Sequence, residues 1–198
     1  MADQREDDMA SQIVLASASP RRSSLLDAAG ISFETAEAHI SEYIPDGTEP
    51  RIASMYNALK KAQYVSREYP EAFVIGADTI VYDGRILGKP SDEEDAFNVL
   101  GELRDSTHAV YTGVCIVRAD EKITRLFCER TDITFGTYSD DEIRRYVSTG
   151  EPMDKAGSYA VQGQWAEHVE KIDGDRDNVI GLPVARLSEE LVRLGADI

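Results

Sequence analysis

The residues of this chain that are able to do chemistry fall in three short stretches. The first, Leu15-Ala16-Ser17-Ala18-Ser19-Pro20-Arg21-Arg22-Ser23-Ser24, runs from an apolar segment straight into a helix start. Ser19 suits the N-cap and Pro20 the first helical position. Arg21 and Arg22 do not suit that place, because a helix N-terminus carries free N–H groups and partial positive charge. Each exposed cation there costs roughly 0.3–1 kcal/mol. The arrangement makes sense if an anion completes it, and phosphate is the usual guest at a strand–turn–helix junction. The second stretch, residues 73–82, is apolar on both sides of Asp78, the pattern of a strand buried on both faces. A carboxylate in such a strand costs several kcal/mol unless it is paired or bound to a metal, which marks Asp78 as a catalytic or metal-binding candidate. Gly76 lets another group approach the strand closely. The third stretch, residues 151–163, mixes Asp154, Lys155, Gln162 and two glycines with little apolar periodicity. It reads as a binding loop, with Gln162 equipped to pair with a base edge through its amide.

Cations (Arg21, Arg22, Lys61, Lys89) and carboxylates (Glu42, Asp78, Asp154) thus come from separate parts of the chain. Together they suit metal-assisted chemistry on a polyphosphate. Carboxylates hold Mg²⁺ or Mn²⁺, cations neutralise phosphate oxygens, and a carboxylate near the metal takes a proton from water. No serine–histidine or cysteine–histidine pair favours a nucleophilic triad, and no His/Cys spacing suggests zinc.

The elements that must position these groups follow from periodicity. Residues 12–16 form a short strand, followed by a helix with Leu25, Ala28 and Ala29 on its apolar face and Gly30 as its stop. A weak strand covers residues 32–38 and a polar loop carries Glu42. A helix from Pro50 to about Tyr69 has Ile52, Met55, Tyr56, Leu59, Ala62 and Tyr64 near helical spacing, and it carries Lys60 and Lys61, which by themselves point to no function because surface lysines are common. Asp83-Gly84 turns the Asp78 strand back, returning Lys89 to the site. Ser91 to Glu94 and Ser139 to Glu142 are capping boxes opening two further helices. Residues 107–118 and 122–135 form a long hairpin, interrupted at Thr112-Gly113 by a bulge or a close ligand. His108 and His168 read as strand residues, residues 165–172 as a strand, residues 174–178 as a turn and Val179-Ile180-Gly181 as a short buried strand. The last helix starts at Pro183 and turns Leu187, Leu191 and Leu194 inward. The predicted fold class is α/β, a mixed twisted sheet with flanking helices.

Composition sets limits on partners. The 198 residues are 42% hydrophobic and 29% charged, a globular balance. A net charge of −16 argues against a nucleic-acid polymer, which needs a basic face, but not against a nucleotide, which needs only a local cluster of cations. No run of 18 apolar residues offers a membrane span. Residues 1–11 read as a disordered lead without signal-peptide character, and residues 12–198 as a single α/β domain. Cys115 and Cys128 fall on neighbouring strands and read as reduced thiols, in keeping with a cytoplasmic protein.

Five motifs in order (LASASPRR, VIGADTIV, LGKP, DKAGSYAVQG and NVIGLP) resemble those of the Maf family of nucleoside triphosphate pyrophosphatases, from about Ile13 to Leu194. The resemblance implies two lobes around a central cleft, a fold similar to the inosine triphosphate pyrophosphatases, and metal-assisted cleavage between the α and β phosphates. It makes Asp78 the proton acceptor. Ser17, Arg22, Lys61 and Lys89 fall at triphosphate or cleft positions, and Glu42 matches an acidic residue tied to metal or water. Arg21, Thr79 and Gln162 match positions linked to base choice, in a combination similar to the branch acting on dTTP and UTP. The sequence departs from the family at Ser41, where an acidic residue commonly precedes Glu42, and at Trp165, where small residues are common. The implied partner is a nucleoside triphosphate, with a homodimer left open. The family's link to septum formation keeps a nucleotide-binding regulator as the alternative, and a nucleotidyltransferase as another.

Overall fold

The computed structural model describes residues 12–198 apart from Tyr43 and Asp46; the predicted lead at residues 1–11 lies outside the described residues. Its centre is a mixed sheet of seven strands in the order β2-β1-β3-β5-β6-β7, with β4 paired to β3. The strands are β1 (Ile13–Leu15), β2 (Glu34–Thr35), β3 (Phe73–Asp83), β4 (Arg85–Leu87), β5 (Thr107–Arg118), β6 (Ile123–Phe135) and β7 (Val169–Asp173). β1 runs parallel to β2 and β3, and every other pairing is antiparallel. The helices are α1 (Pro20–Ala28), α2 (Pro50–Val65), α3 (Glu93–Glu102), α4 (Asp140–Val147), α5 (Arg176–Ile180) and α6 (Val184–Arg193). The expected mixed sheet with flanking helices is therefore present.

Side-chain alternation on β3 and β5 decides what each helix meets. Gly76 and Asp78 face α2, and Gly113 lies directly opposite Asp78 on β5. A Cβ at Gly76 would run into the Ala58 carbonyl, and one at Gly113 into the Ser54 backbone. Both glycines exist to seat α2, and β5 runs through Thr112-Gly113 without a bulge, so the expected interruption is a packing contact. The apolar face anticipated for α2 is also displaced. Ala53, Ala58, Ala62 and Val65 are buried together with Ser54, Asn57 and Lys61, whereas Ile52, Tyr56 and Tyr64 stand in solvent. Small residues bury here because glycines beneath them bring the helix down onto the sheet.

Other expectations shift for local reasons. Only Leu26 of α1 is fully buried, with Leu25 partly so, and Ala28 and Ala29 are exposed. The strand expected at residues 32–38 pairs only at Glu34–Thr35. Helix α3 starts one residue later than the capping-box reading, with Asp92 accepting from the Asp95 N–H at 2.8 Å. Ser139 and Glu142 do form the capping box of α4. Trp165 lies in a 3₁₀ turn, Gln164–His168, ahead of β7 rather than in a strand, and His168 closes that turn. The ring of Trp165 is buried and stacks on Tyr146, so packing takes precedence over its β preference. Val179 and Ile180 end α5, opened by the Asp175 cap, instead of forming a strand. His108 is a buried strand residue as expected, and Cys115 and Cys128 are free.

Candidate active site

A cleft of about 700 Å³ opens beside β3, and all nine residues singled out from the sequence line it: Ser17, Arg21, Arg22, Glu42, Lys61, Asp78, Thr79, Lys89 and Gln162. They reach it from the β1–α1 turn, the start of α1, the loop between β2 and α2, α2, β3, the segment after β4 and the loop at 151–163. With Glu37, Glu151, Asp154 and Lys155 the lining holds five cations and five carboxylates. A chain of net charge −16 thus keeps its cleft neutral, and an anion meets far less repulsion there than elsewhere.

At the centre Asp78, nearly buried, is gripped on both carboxylate oxygens. Lys61 Nζ lies 2.7 Å from Oδ1, and Asn57 Nδ2 donates to Oδ2 at 3.1 Å. Lys61 is itself buried and also reaches Glu42 Oε1 at 2.8 Å and the Ala77 carbonyl at 3.3 Å. Asp78 and Glu42 therefore share one ammonium. Desolvation pushes the Glu42 pKa up, but the hydrogen bond and charge of Lys61, with Arg22 and Lys89 behind them, hold it below the usual carboxylate value. Lys61, expected among the site cations, is thus placed beside Asp78, whereas nothing in the sequence reading singles out Asn57. A lysine and an asparagine one helical turn apart, on the face carrying alanines, were the available signal.

Arg22 crosses from α1 to bind three oxygens. Nε donates to the Gly181 carbonyl at 2.8 Å, one terminal nitrogen to Ser17 Oγ at 3.1 Å and the other to Thr79 Oγ1 at 3.2 Å. Burial lowers its pKa, opposed by the charge of Asp78. Ser17 Oγ also accepts from the Ser19 N–H at 3.1 Å. Both lone pairs of Ser17 are thereby used, and its O–H is left to donate into the cleft. The Ser19 side chain makes no cap, contrary to the sequence expectation, so the first N–H groups of α1 stay uncapped by any side chain beside that hydroxyl. Across the cleft mouth Arg21 approaches Asp154 at 3.8 Å, and Asp154 pairs with Lys155 at 2.6 Å. Tyr146 donates to Glu151 at 3.1 Å and ties the loop bearing Gln162 to α4.

Among the described residues no group of three or more His, Cys, Asp or Glu side chains surrounds a metal position. Asp78 and Glu42 are two hard oxygen donors brought together by Lys61. This is a partial set of the kind Mg²⁺ accepts when phosphate oxygens and water complete its shell.

A mixed sheet with helices on its faces, and a cleft pairing a buried carboxylate with an open helix start and converging cations, define an α/β protein built to hold phosphate-bearing anions. The chain belongs to the Maf family: the family described as Maf-like protein matches residues 12–194. The dTTP/UTP pyrophosphatase of Dictyoglomus turgidum is 46% identical over 192 residues, covering 94% of this chain and 98% of that protein. The dTTP/UTP pyrophosphatase of Agathobacter rectalis is 45% identical over 205 aligned positions, covering 95% and 100%. Among solved structures, the Staphylococcus aureus Ham1 protein shares the fold, with a TM-score of 0.50 at 14% identity over 92% of this chain and 98% of that chain.

Proposed function

We propose that this Maf-family chain is a nucleoside triphosphate pyrophosphatase that hydrolyses dTTP and UTP to the monophosphate and pyrophosphate. Relatives bearing that name match it at about 45% identity along almost its whole length. The observation that carries the assignment of roles is Asp78, held between Asn57 and Lys61 at the wall of a cleft that is also lined by an uncapped helix start.

The triphosphate lies against the α1 N-terminus, where the Ser17 hydroxyl, the backbone N–H groups, Arg22 and Lys89 meet its oxygens. Asp78 is the proton acceptor. Water attacks the α phosphorus and its proton passes to the carboxylate. The bond from the α phosphorus to the bridging oxygen then breaks, and pyrophosphate leaves with the electron pair. Lys61 holds the Asp78 carboxylate in place, and the cations offset charge as it moves onto the leaving oxygens. Asp78 and Glu42 would hold a divalent cation, Mg²⁺ or Mn²⁺, which supplies Lewis-acid polarisation of the phosphate when bound. Arg21, Thr79 and Gln162 face the nucleoside. The reading puts the enzyme with the cytoplasmic nucleotide pool; no helix among the described residues is long and apolar enough to cross a membrane.

The test is release of pyrophosphate against orthophosphate from a panel of nucleoside triphosphates with Mg²⁺ or Mn²⁺. Pyrophosphate from dTTP and UTP is expected, and Asp78→Asn should lower kcat by roughly 10²-fold or more while binding survives. Orthophosphate would mean attack at the γ phosphorus. Binding without release of either would favour the regulatory alternative.

A further inference from the structure

Beneath Thr79 lies a hydrogen-bond chain that the proposed reaction does not use. Thr112 sits directly opposite Thr79 on β5, is fully buried and does not line the cleft. Its Oγ1 lies 2.8 Å from the Asn178 carbonyl. A carbonyl only accepts, so Thr112 spends its single proton there. Thr112 Oγ1 also lies 3.0 Å from Thr79 Oγ1. With its proton committed, Thr112 can only accept at this contact, and Thr79 must donate. The other inward neighbour of Thr79, the Gly181 carbonyl at 3.5 Å, takes the same proton if it takes any. Arg22 meanwhile donates to Thr79 Oγ1 at 3.2 Å. A hydroxyl has one proton and two lone pairs. At Thr79 the proton and one lone pair are used by the protein, and one lone pair is left for the cleft.

We propose that Thr112 is a specificity-determining positioning residue: it makes the Thr79 hydroxyl an acceptor only, so that the cleft selects a pyrimidine carrying N3–H, uracil or thymine, over cytosine. This rests on the reading of the substrate as a pyrimidine nucleoside triphosphate. Phosphate oxygens at neutral pH only accept, so a group that cannot donate is no phosphate ligand and belongs to the nucleoside end. The surface beside it supports a base rather than a sugar. Val81 follows Thr79 on the same face of β3, Val110 lies opposite Val81 on β5, and Val179 and Ile180 complete an apolar wall in the cleft. A flat ring lies against such a wall. Cytosine presents a bare N3 where uracil and thymine present N–H, and a lone pair facing a lone pair leaves both unpaired.

The experiment measures kcat/KM for UTP, CTP and dUTP in the wild type, Thr112→Val and Thr112→Ser, with melting temperatures alongside. The binding ratio of UMP to CMP is measured calorimetrically. Valine keeps the shape and removes the acceptor, which frees the Thr79 proton to turn toward the cleft. The UTP/CTP and UMP/CMP ratios should fall about tenfold in Thr112→Val, the size expected for one mismatched buried hydrogen bond, and be restored in Thr112→Ser. A folded Thr112→Val with both ratios within twofold of the wild type overturns the proposal, as does a change confined to UTP against dUTP, which would put the sugar at Thr79. If Thr112→Val does not fold, Thr112→Cys takes its place, since a thiol is a weak acceptor: the same fall in both ratios is expected, and ratios within twofold of the wild type overturn the proposal. Loss of the pyrophosphatase reading is separately visible as no pyrophosphate from any triphosphate in the wild type, and the monophosphate ratio still decides the role of Thr112.

Discussion

Asp78 is costly to bury, and its neighbours show how that cost is met. Lys61 supplies the opposite charge and Asn57 a neutral donor, each to a different oxygen, so the carboxylate is paired and held in one orientation. Asn57 is almost fully buried and its Oδ1 has no partner among the described residues, an unfavourable arrangement for a residue that only fills space. Asn57→Leu, similar in size but without the donor, should lower kcat for dTTP about tenfold. That is what one hydrogen bond to a charged group is worth. KM should stay within about twofold, because Asn57 does not line the cleft. Steady-state pyrophosphate release checks it; a rise in KM with kcat intact would reject the positioning role.

At the scale of elements, α2 is the part on which the site depends. It brings Asn57 and Lys61 to Asp78 only because Gly76 and Gly113 let its backbone press onto β3 and β5. Gly113→Ala puts a methyl group into the Ser54 backbone, and neither strand nor helix can yield without moving the other. A cost of about 1–3 kcal/mol follows from overpacking of this kind. Urea unfolding should show that loss. Turnover should fall further than stability alone explains, since lifting α2 withdraws Lys61 from Asp78 as well. Unchanged stability would mean that the helix has slack at this contact.

The molecule as a whole stabilises the cleft from behind through an aromatic core. His108, Phe135, Tyr138, Tyr146, Tyr159 and Trp165 pack edge to face or stacked under the loop that carries Gln162. His108 Nε2 lies 2.7 Å from the hydroxyl of Tyr159, which lines the cleft. Burial pulls the His108 pKa from 6.5 down to about 4, against a weaker pull from Asp132. A histidine with a depressed native pKa binds its proton more readily when unfolded. Its stabilising effect is therefore complete above about pH 6.5 and is lost progressively as pH falls toward 4. Between pH 7.5 and pH 5 this one group should remove about 2 kcal/mol. The difference between wild type and His108→Gln in urea unfolding at the two pH values isolates it from the carboxylates. Equal pH dependence in both proteins would show that His108 is not the cause.

Much of the site was legible in the order of residue types alone. The polar stretch at Ser17–Arg22, the lone carboxylate Asp78 in an apolar strand and the returning Lys89 identify themselves by chemistry that is out of place in its local setting, and the structure brings all three to one cleft. Strands β3, β5 and β6 were equally plain, because alternation and turn residues are local signals. The partners of these groups were not legible. Which face of α2 is buried depends on two glycines in other strands, so a periodicity count turned the helix toward Ile52 and Tyr56 and left Asn57 unnoticed. The proton direction at Thr79 depends on Thr112 and on a carbonyl of α5, far away in sequence. Local chemistry along the chain determined which groups are available. Only the tertiary structure decided which atoms meet, because burial and hydrogen-bond direction belong to residues that are distant in the chain.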